Sequence, residues 1–284
     1  MLPLPLVDPI VRRALEEDLA GGDLTVESCI PEEATATAVA LAKSPLVVCG
    51  YDVFRRVFEL VDPTVKVEAL VPEGAKAGDR EPLWAVSGSA RSLLVAERTA
   101  LNFVQRMSGT ATLARRCVDA ITPGAVTRIA DTRKTTPGLR LLERYAVRTG
   151  GAHNHRDQLG SAVLIKDNHI VAVGSITAAI ERARARAPHT SRIEIEVDTL
   201  EGLDEAVQAG ADIVLLDNFE DARVREAVAR VKDRKPRPLL EASGGITLER
   251  IAALSAAGVD VISIGALTHS APAADISLDF EPST

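Results

Sequence analysis

Six apolar runs of strand length set a beat through the second half of the chain: "AVTRIAD", "AVLIKD", "RIEIEVD", "DIVLLDN", "PLLEASGG" and "VDVISIG". Helix-like stretches lie between them: "GLRLLERYAVR", "SITAAIERARAR", "EGLDEAVQAG", "DARVREAVARVK" and "TLERIAALSAAG". Continuous apolar strands alternating with helices predict a parallel sheet covered by helices. Each run ends in polar or glycine residues, from Asp131, Arg133 and Lys134 through to Ser263 and Gly265. A doubly wound sheet places ligands only at a switch point, whereas a barrel gathers every strand end at one mouth. Six decorated ends therefore predict an α/β barrel, incomplete because six strands are fewer than eight.

The first hundred residues have a different texture. "TATAVALAKS", "VKVEALVPEGAKAGD" and "EPLWAVSGSA" alternate apolar and polar residues between Gly and Pro, while "DPIVRRALEEDLA" and "YDVFRRVFELV" carry helical spacing. This predicts an N-terminal α+β domain over residues 1–108, followed by the barrel over 109–266, with the tail 267–284 packing on the first domain. "SLLVAERTALNFVQRM" predicts a helix linking the two, ending near Gly109, with a second helix in "TATLARRCVDAI".

Composition narrows the function. Aromatic residues make up 3% of the chain and the formal net charge is −7, which argues against a base-stacking or general nucleic-acid surface. No run of 18 apolar residues suits a membrane span, and the N-terminus lacks the pattern of a signal peptide. Cys29, Cys49 and Cys117 match neither a disulfide framework nor a zinc spacing, and read as reduced buried thiols. A cytoplasmic enzyme is the expectation.

The expected mouth is crowded with charge. Arg133, Lys134, Lys166 and Arg156 converge there with Glu196 and Asp217. Clustered cations bind a polyanion, and guanidinium groups grip carboxylate or phosphate in pairs of hydrogen bonds. Two carboxylates suit Mg²⁺ held through phosphate oxygens, or sugar hydroxyls. "ASGG" and "SIGA" offer backbone N–H groups beside small residues, as phosphate sites do. His153 and His155 show no third ligand of metal spacing, so His155 reads as a loop imidazole hydrogen-bonding an anion or as a surface residue, and His153 as a surface residue. His169 and His269 read as packing or surface residues.

The ordered stretches "EEDLAGGDLT", "ERTALNFVQRMSGTAT", "ADTRKTTPGLR", "YAVRTGGAHNHRDQLG", "LIKDNHI", "IEVDTLEG", "LLDNF" and "EASGGIT" resemble the successive motifs of the quinolinate phosphoribosyltransferase family over nearly the whole chain. Thr149 and Ala152 stand where Cys and Gly are expected. The resemblance implies an N-terminal α/β sandwich domain, an incomplete α/β barrel, and synthesis of nicotinate mononucleotide, CO₂ and pyrophosphate from quinolinate and phosphoribosyl pyrophosphate with Mg²⁺, a step of NAD biosynthesis. It further implies that Arg133, Lys134, His155, Arg156 and Lys166 bind the anions, with Lys134, Lys166, Glu196 and Asp217 closest to the chemistry. Glu196 and Asp217 would face the ribose hydroxyls and Mg²⁺. Ser243, Gly244, Gly245, Gly265 and Ala266 would line the phosphate end. Arg106 would reach into the neighbouring subunit of a homodimer, or higher oligomer, with shared active sites. The alternatives are a paralogous molybdenum-transport-associated protein of the same fold and a Schiff-base aldolase using Lys166 or Lys134.

Overall fold

The structure, a computed structural model, describes residues 2–281. The chain divides into two units. The first takes residues up to Arg115, Thr135–Gly151 and those from Thr268 on; the second takes Arg116–Lys134 and Ala152–Leu267. No helix among the described residues is long and apolar enough to cross a membrane.

The first unit is built on a four-stranded antiparallel sheet in the order Ile276–Phe280, Thr35–Ala42, Pro82–Ser89, Lys66–Ala69. Alternation decides its faces: Ala38, Ala40 and Ala42 turn inward and are fully buried. The helix Tyr51–Val61 turns Val53, Phe54, Val57 and Phe58 toward the core, where Phe54 packs on Trp84 with ring centroids 4.9 Å apart. The tail contributes the edge strand, with Ala40 opposite Leu278.

One helix, Ala90–Asp119, runs through the position where a break was expected. Gly109 does not end it. A Cβ there would lie 2.0 Å from the Pro272 carbonyl oxygen, so the glycine serves close approach of the returning tail rather than helix termination. The thiols also divide differently from expectation: Cys49 and Cys117 are buried, but Cys29 is exposed.

The second unit holds six parallel strands: β1 (Arg128–Ala130), β2 (Val163–Ile165), β3 (Ile193–Val197), β4 (Ile213–Asp217), β5 (Leu239–Ser243) and β6 (Val261–Ser263). Their order is β1-β6-β5-β4-β3-β2. β1 and β2 are therefore the two edges, and the ring stays open between them. Helices Ile176–Arg186, Leu200–Gln208, Asp221–Val231 and Leu248–Ala257 bury apolar residues such as Ile180, Leu203, Val224 and Ile251. His153 forms a lone parallel bridge with Ala130 at the free edge of β1. Two residues later, His155 reaches Glu194 of β3, one strand in from the opposite edge. Only a strongly curled sheet brings these together, which makes the unit an incomplete barrel.

Candidate active site

Strand periodicity builds the mouth. Glu196 on β3, Asp217 on β4 and Ser243 on β5 lie near the strand ends. Two residues earlier, on the same faces, come Glu194, Leu215 and Glu241. Asp198, one residue past β3, is exposed.

At the upper level Lys166, which immediately follows β2, places Nζ 2.8 Å from Glu196 Oε2. His169 Nδ1 accepts the Lys166 N–H at 2.9 Å, and this exposed imidazole thereby caps the helix Asp167–Val173. Asp217 stands beside Glu196. Its carboxyl is raised above the ordinary aspartate range by burial first and by Glu196 second, while Asn218, Lys166 and Lys134 pull it back. The expected cluster of Lys134, Lys166, Glu196 and Asp217 therefore forms one charged group.

On the other side, Arg156 is lowered from the usual guanidinium range, mainly by burial and then by the charge of Arg133. Two guanidinium groups are thus held near one another, with Glu194 as the counter-charge. Asp131, wholly buried, organises the loop that carries them. Its Oδ1 accepts the His155 N–H at 2.7 Å, and its Oδ2 accepts from Asn154 Nδ2 at 2.6 Å. His153 is exposed.

The phosphate-end candidates have the geometry that glycine allows. Gly244 and Gly245 both have positive φ, +88° and +57°, and a Cβ on Gly244 would meet Asn218 Oδ1 at 2.1 Å. Asn218 itself has φ 55° and donates its N–H to the Ser243 carbonyl at 2.9 Å. Of these three left-handed positions the two glycines carry no steric penalty, so Asn218 is the one that holds strain of the kind found at ligand sites. Gly265 and Ala266 follow β6, Ala266 opening the short helix Ala266–His269.

Arg106 belongs to the first unit, as do its partners Glu143, Thr136 and the carbonyls of Thr268 and Ala271.

Two acids escaped sequence reasoning. Glu194 and Glu241 are each 3% exposed, and both face His155 Nε2, at 3.2 and 3.5 Å. The signal was present as a charged residue inside an otherwise apolar strand, "IEIEV" and "LLEAS", where an unpaired carboxylate is costly. Glu241 is pushed up to about 7, by burial and then by Glu194.

The model of the quinolinate phosphoribosyl transferase C-terminal domain matches residues 110–279, and that of the N-terminal domain matches residues 23–108. The nicotinate-nucleotide pyrophosphorylase [carboxylating] of Mycobacterium leprae is 45% identical over 272 residues, 95% of each chain. The human protein of that name is 39% identical over 279 residues, 98% of this chain and 93% of its own. The structure of the nicotinate-nucleotide pyrophosphorylase from Francisella tularensis superposes with a TM-score of 0.92 at 38% identity, covering 99% of this chain and 98% of its own.

Proposed function

Because the chain belongs to the quinolinate phosphoribosyltransferase family, we propose that the barrel mouth transfers a phosphoribosyl group from phosphoribosyl pyrophosphate to quinolinate, releasing pyrophosphate and CO₂ and yielding nicotinate mononucleotide. One observation carries the reading at the level of geometry. The mouth holds two like-charge pairs side by side, Arg133 with Arg156 and Glu196 with Asp217. Each pair has a counter-charge within the chain, Glu194 for the first and Lys166 for the second, and a ligand of opposite charge would relieve the repulsion that is left. A pyridine dicarboxylate suits the first pair, and a cation or ribose hydroxyls suit the second.

In this reading Arg133 and Arg156 grip quinolinate and set its ring nitrogen in line with ribose C1, the positional contribution to rate. Lys134 and Lys166 offset the charge that develops as pyrophosphate leaves. The Ser243–Gly245 turn, with Gly265 and Ala266, offers backbone N–H groups to the phosphate end. Glu196 and Asp217 provide hard oxygen ligands whose mutual repulsion a divalent cation relieves, so they fit Mg²⁺ held mainly through substrate oxygens and water. When bound, that ion supplies charge neutralisation of the departing pyrophosphate. Attack at C1 leaves a cationic pyridinium nitrogen. Loss of the adjacent 2-carboxylate places its electron pair on C2, where the nitrogen's charge stabilises it until a proton arrives. We further read the enzyme as a cytoplasmic homodimer, or a higher oligomer, with shared active sites and no nucleic-acid or membrane partner.

The test is direct. Purified protein with quinolinate, phosphoribosyl pyrophosphate and Mg²⁺ should yield nicotinate mononucleotide by mass, with CO₂ released in equal amount. Nicotinate, lacking the 2-carboxylate, should turn over very poorly, since a site built for a dianion is left with an unmatched cation. Comparable turnover of nicotinate would sink the assignment.

A further inference from the structure

Beneath the mouth, three titratable groups meet inside the barrel. Glu194 Oε2 and Glu241 Oε1 lie 3.2 and 3.5 Å from the same atom, His155 Nε2. Glu241 Oε1 has no hydrogen bond of its own. The other nitrogen of the ring is also engaged: His155 Nδ1 accepts the backbone N–H of Arg156 at 2.7 Å. Also facing the cluster are the Arg156 guanidinium, with Arg133 next to it, the buried Asp131 that holds the His155 N–H, and the Ser263 hydroxyl near Glu241.

The Arg156 contact decides where the protons are. A nitrogen that accepts a hydrogen bond carries no proton, so Nδ1 is bare. The ring's proton then sits on Nε2, between the two carboxyls. The same contact argues against two other states. An imidazolium needs a proton on Nδ1. A metal on Nε2 also needs one, although the three ligand atoms lie within 4.8 Å of one another. Burial works against a charged ring, but Glu194 and Glu241 outweigh it and raise the His155 pKa, so what stands against the imidazolium is the Arg156 N–H at Nδ1. With Nδ1 closed, any second proton in the cluster belongs on a carboxyl.

We propose that Glu194 and Glu241 are positioning residues that hold His155 as the neutral Nε2–H imidazole and, through Nδ1, fix the Arg156 backbone at the mouth. Glu194 is the acceptor of the Nε2 proton, and Glu241 is carried as the neutral acid. The Arg156 guanidinium is steadied further along by the Ala162 carbonyl, 3.1 Å from Nη1. His155 acts in this arrangement as a strut under the substrate-gripping arginine.

The role in substrate binding rests on the proposed transferase reading; the tautomer does not. In the full chain labelled with ¹⁵N-histidine, and with His155 assigned by comparison with His155→Gln, the ring should show the neutral Nε2–H pattern at pH 7. An imidazolium pattern, or a zinc-induced shift of that signal at one equivalent, would overturn the proposal. Glu241→Gln, a mimic of the neutral acid, should keep the pattern and stay within about threefold of the parent kcat/KM. Glu194→Ala removes the acceptor and should raise the quinolinate KM about tenfold, the scale of a lost buried hydrogen bond, with kcat and the KM for phosphoribosyl pyrophosphate little changed. If Glu241→Gln is as damaged as Glu194→Ala, the neutral-acid role fails. The spectrum needs no substrate, so absent quinolinate turnover with the Nε2–H pattern intact would reject the transferase reading alone.

Discussion

Arg106 and Glu143 form an ion pair across two helices of the first unit, with Arg106 Nη2 2.7 Å from Glu143 Oε1 and the Glu143 side chain 1% exposed. Thr136 completes the knot: its hydroxyl donates to Glu143 Oε1 at 2.6 Å and its N–H to Oε2 at 3.0 Å. Glu143 is thus held by Arg106 and Thr136, of which Arg106 carries the charge.

Arg106→Ala should destabilise the chain strongly, because it strands a carboxylate in the interior; removing one partner of a buried pair costs about 3–5 kcal/mol. Arg106→Ala with Glu143→Gln should recover much of that loss. Thermal unfolding of the two single variants and the double variant checks it. Additive effects would mean that the pair is not coupled.

The proposed reach of Arg106 into a neighbour's site is tested with Arg106→Lys, which keeps a charge for Glu143 but loses the planar fork. Co-expression with Lys166→Ala should restore about a quarter of parental activity if sites are shared across a two-fold dimer, since about half of randomly paired dimers are mixed and each has one intact site. Mixed dimers with no recovery would place Arg106 in service of its own chain only.

Lys166→Ala should cut kcat/KM by about 100-fold or more, since it removes a cation from the departing charge. Its Nζ pairs with Glu196 at 2.8 Å, but the side chain is 47% exposed, so unfolding free energy should move by less than about 1 kcal/mol. Unfolding of this variant at assay temperature would show that Lys166 is chiefly structural.

Asp217→Asn should raise the unfolding temperature at neutral pH without Mg²⁺ while abolishing most activity. The raised Asp217 carboxyl means that its charged form is disfavoured in the fold by burial and by Glu196. Its stability contribution is present below the unfolded value of 3.8 and is lost as pH rises through the folded one. Asn removes that loss together with the hard ligand. A lower unfolding temperature would contradict this.

Glu241 makes a second pH prediction, with a window. Its pKa is raised from 4.5 to about 7, so wild-type stability should fall as pH climbs across that range, where the unfolded chain releases the proton and the folded one keeps it. Glu241→Gln has no such proton. Its advantage in unfolding temperature should grow from pH 4.5 to about 7 and then level off. A difference that stays flat across the window would place the raised carboxyl elsewhere.

Much of this molecule was legible in its residues. A strand of continuous apolar residues has few places to go except between helices, so "DIVLLDN" and its five counterparts determined the parallel sheet, and their polar ends determined where the mouth would be. Charge did the same for the site: Arg133, Lys134, Lys166, Glu196 and Asp217 stand where strands end, positions that order along the chain reveals. Other features depended on contacts between residues far apart in sequence. Gly109 reads as a helix end until the Pro272 carbonyl closes against it, and the 30-residue helix continues. Nothing along the chain pairs Arg106 with Glu143, 37 residues away, until the fold brings the two together. His155 reads as a loop imidazole until curling of the sheet brings Glu194 and Glu241 onto one of its nitrogens. Periodicity along a chain specifies which face a residue takes, but the protonation of a buried group depends on what the opposite wall presents, and only the closed tertiary structure decides that.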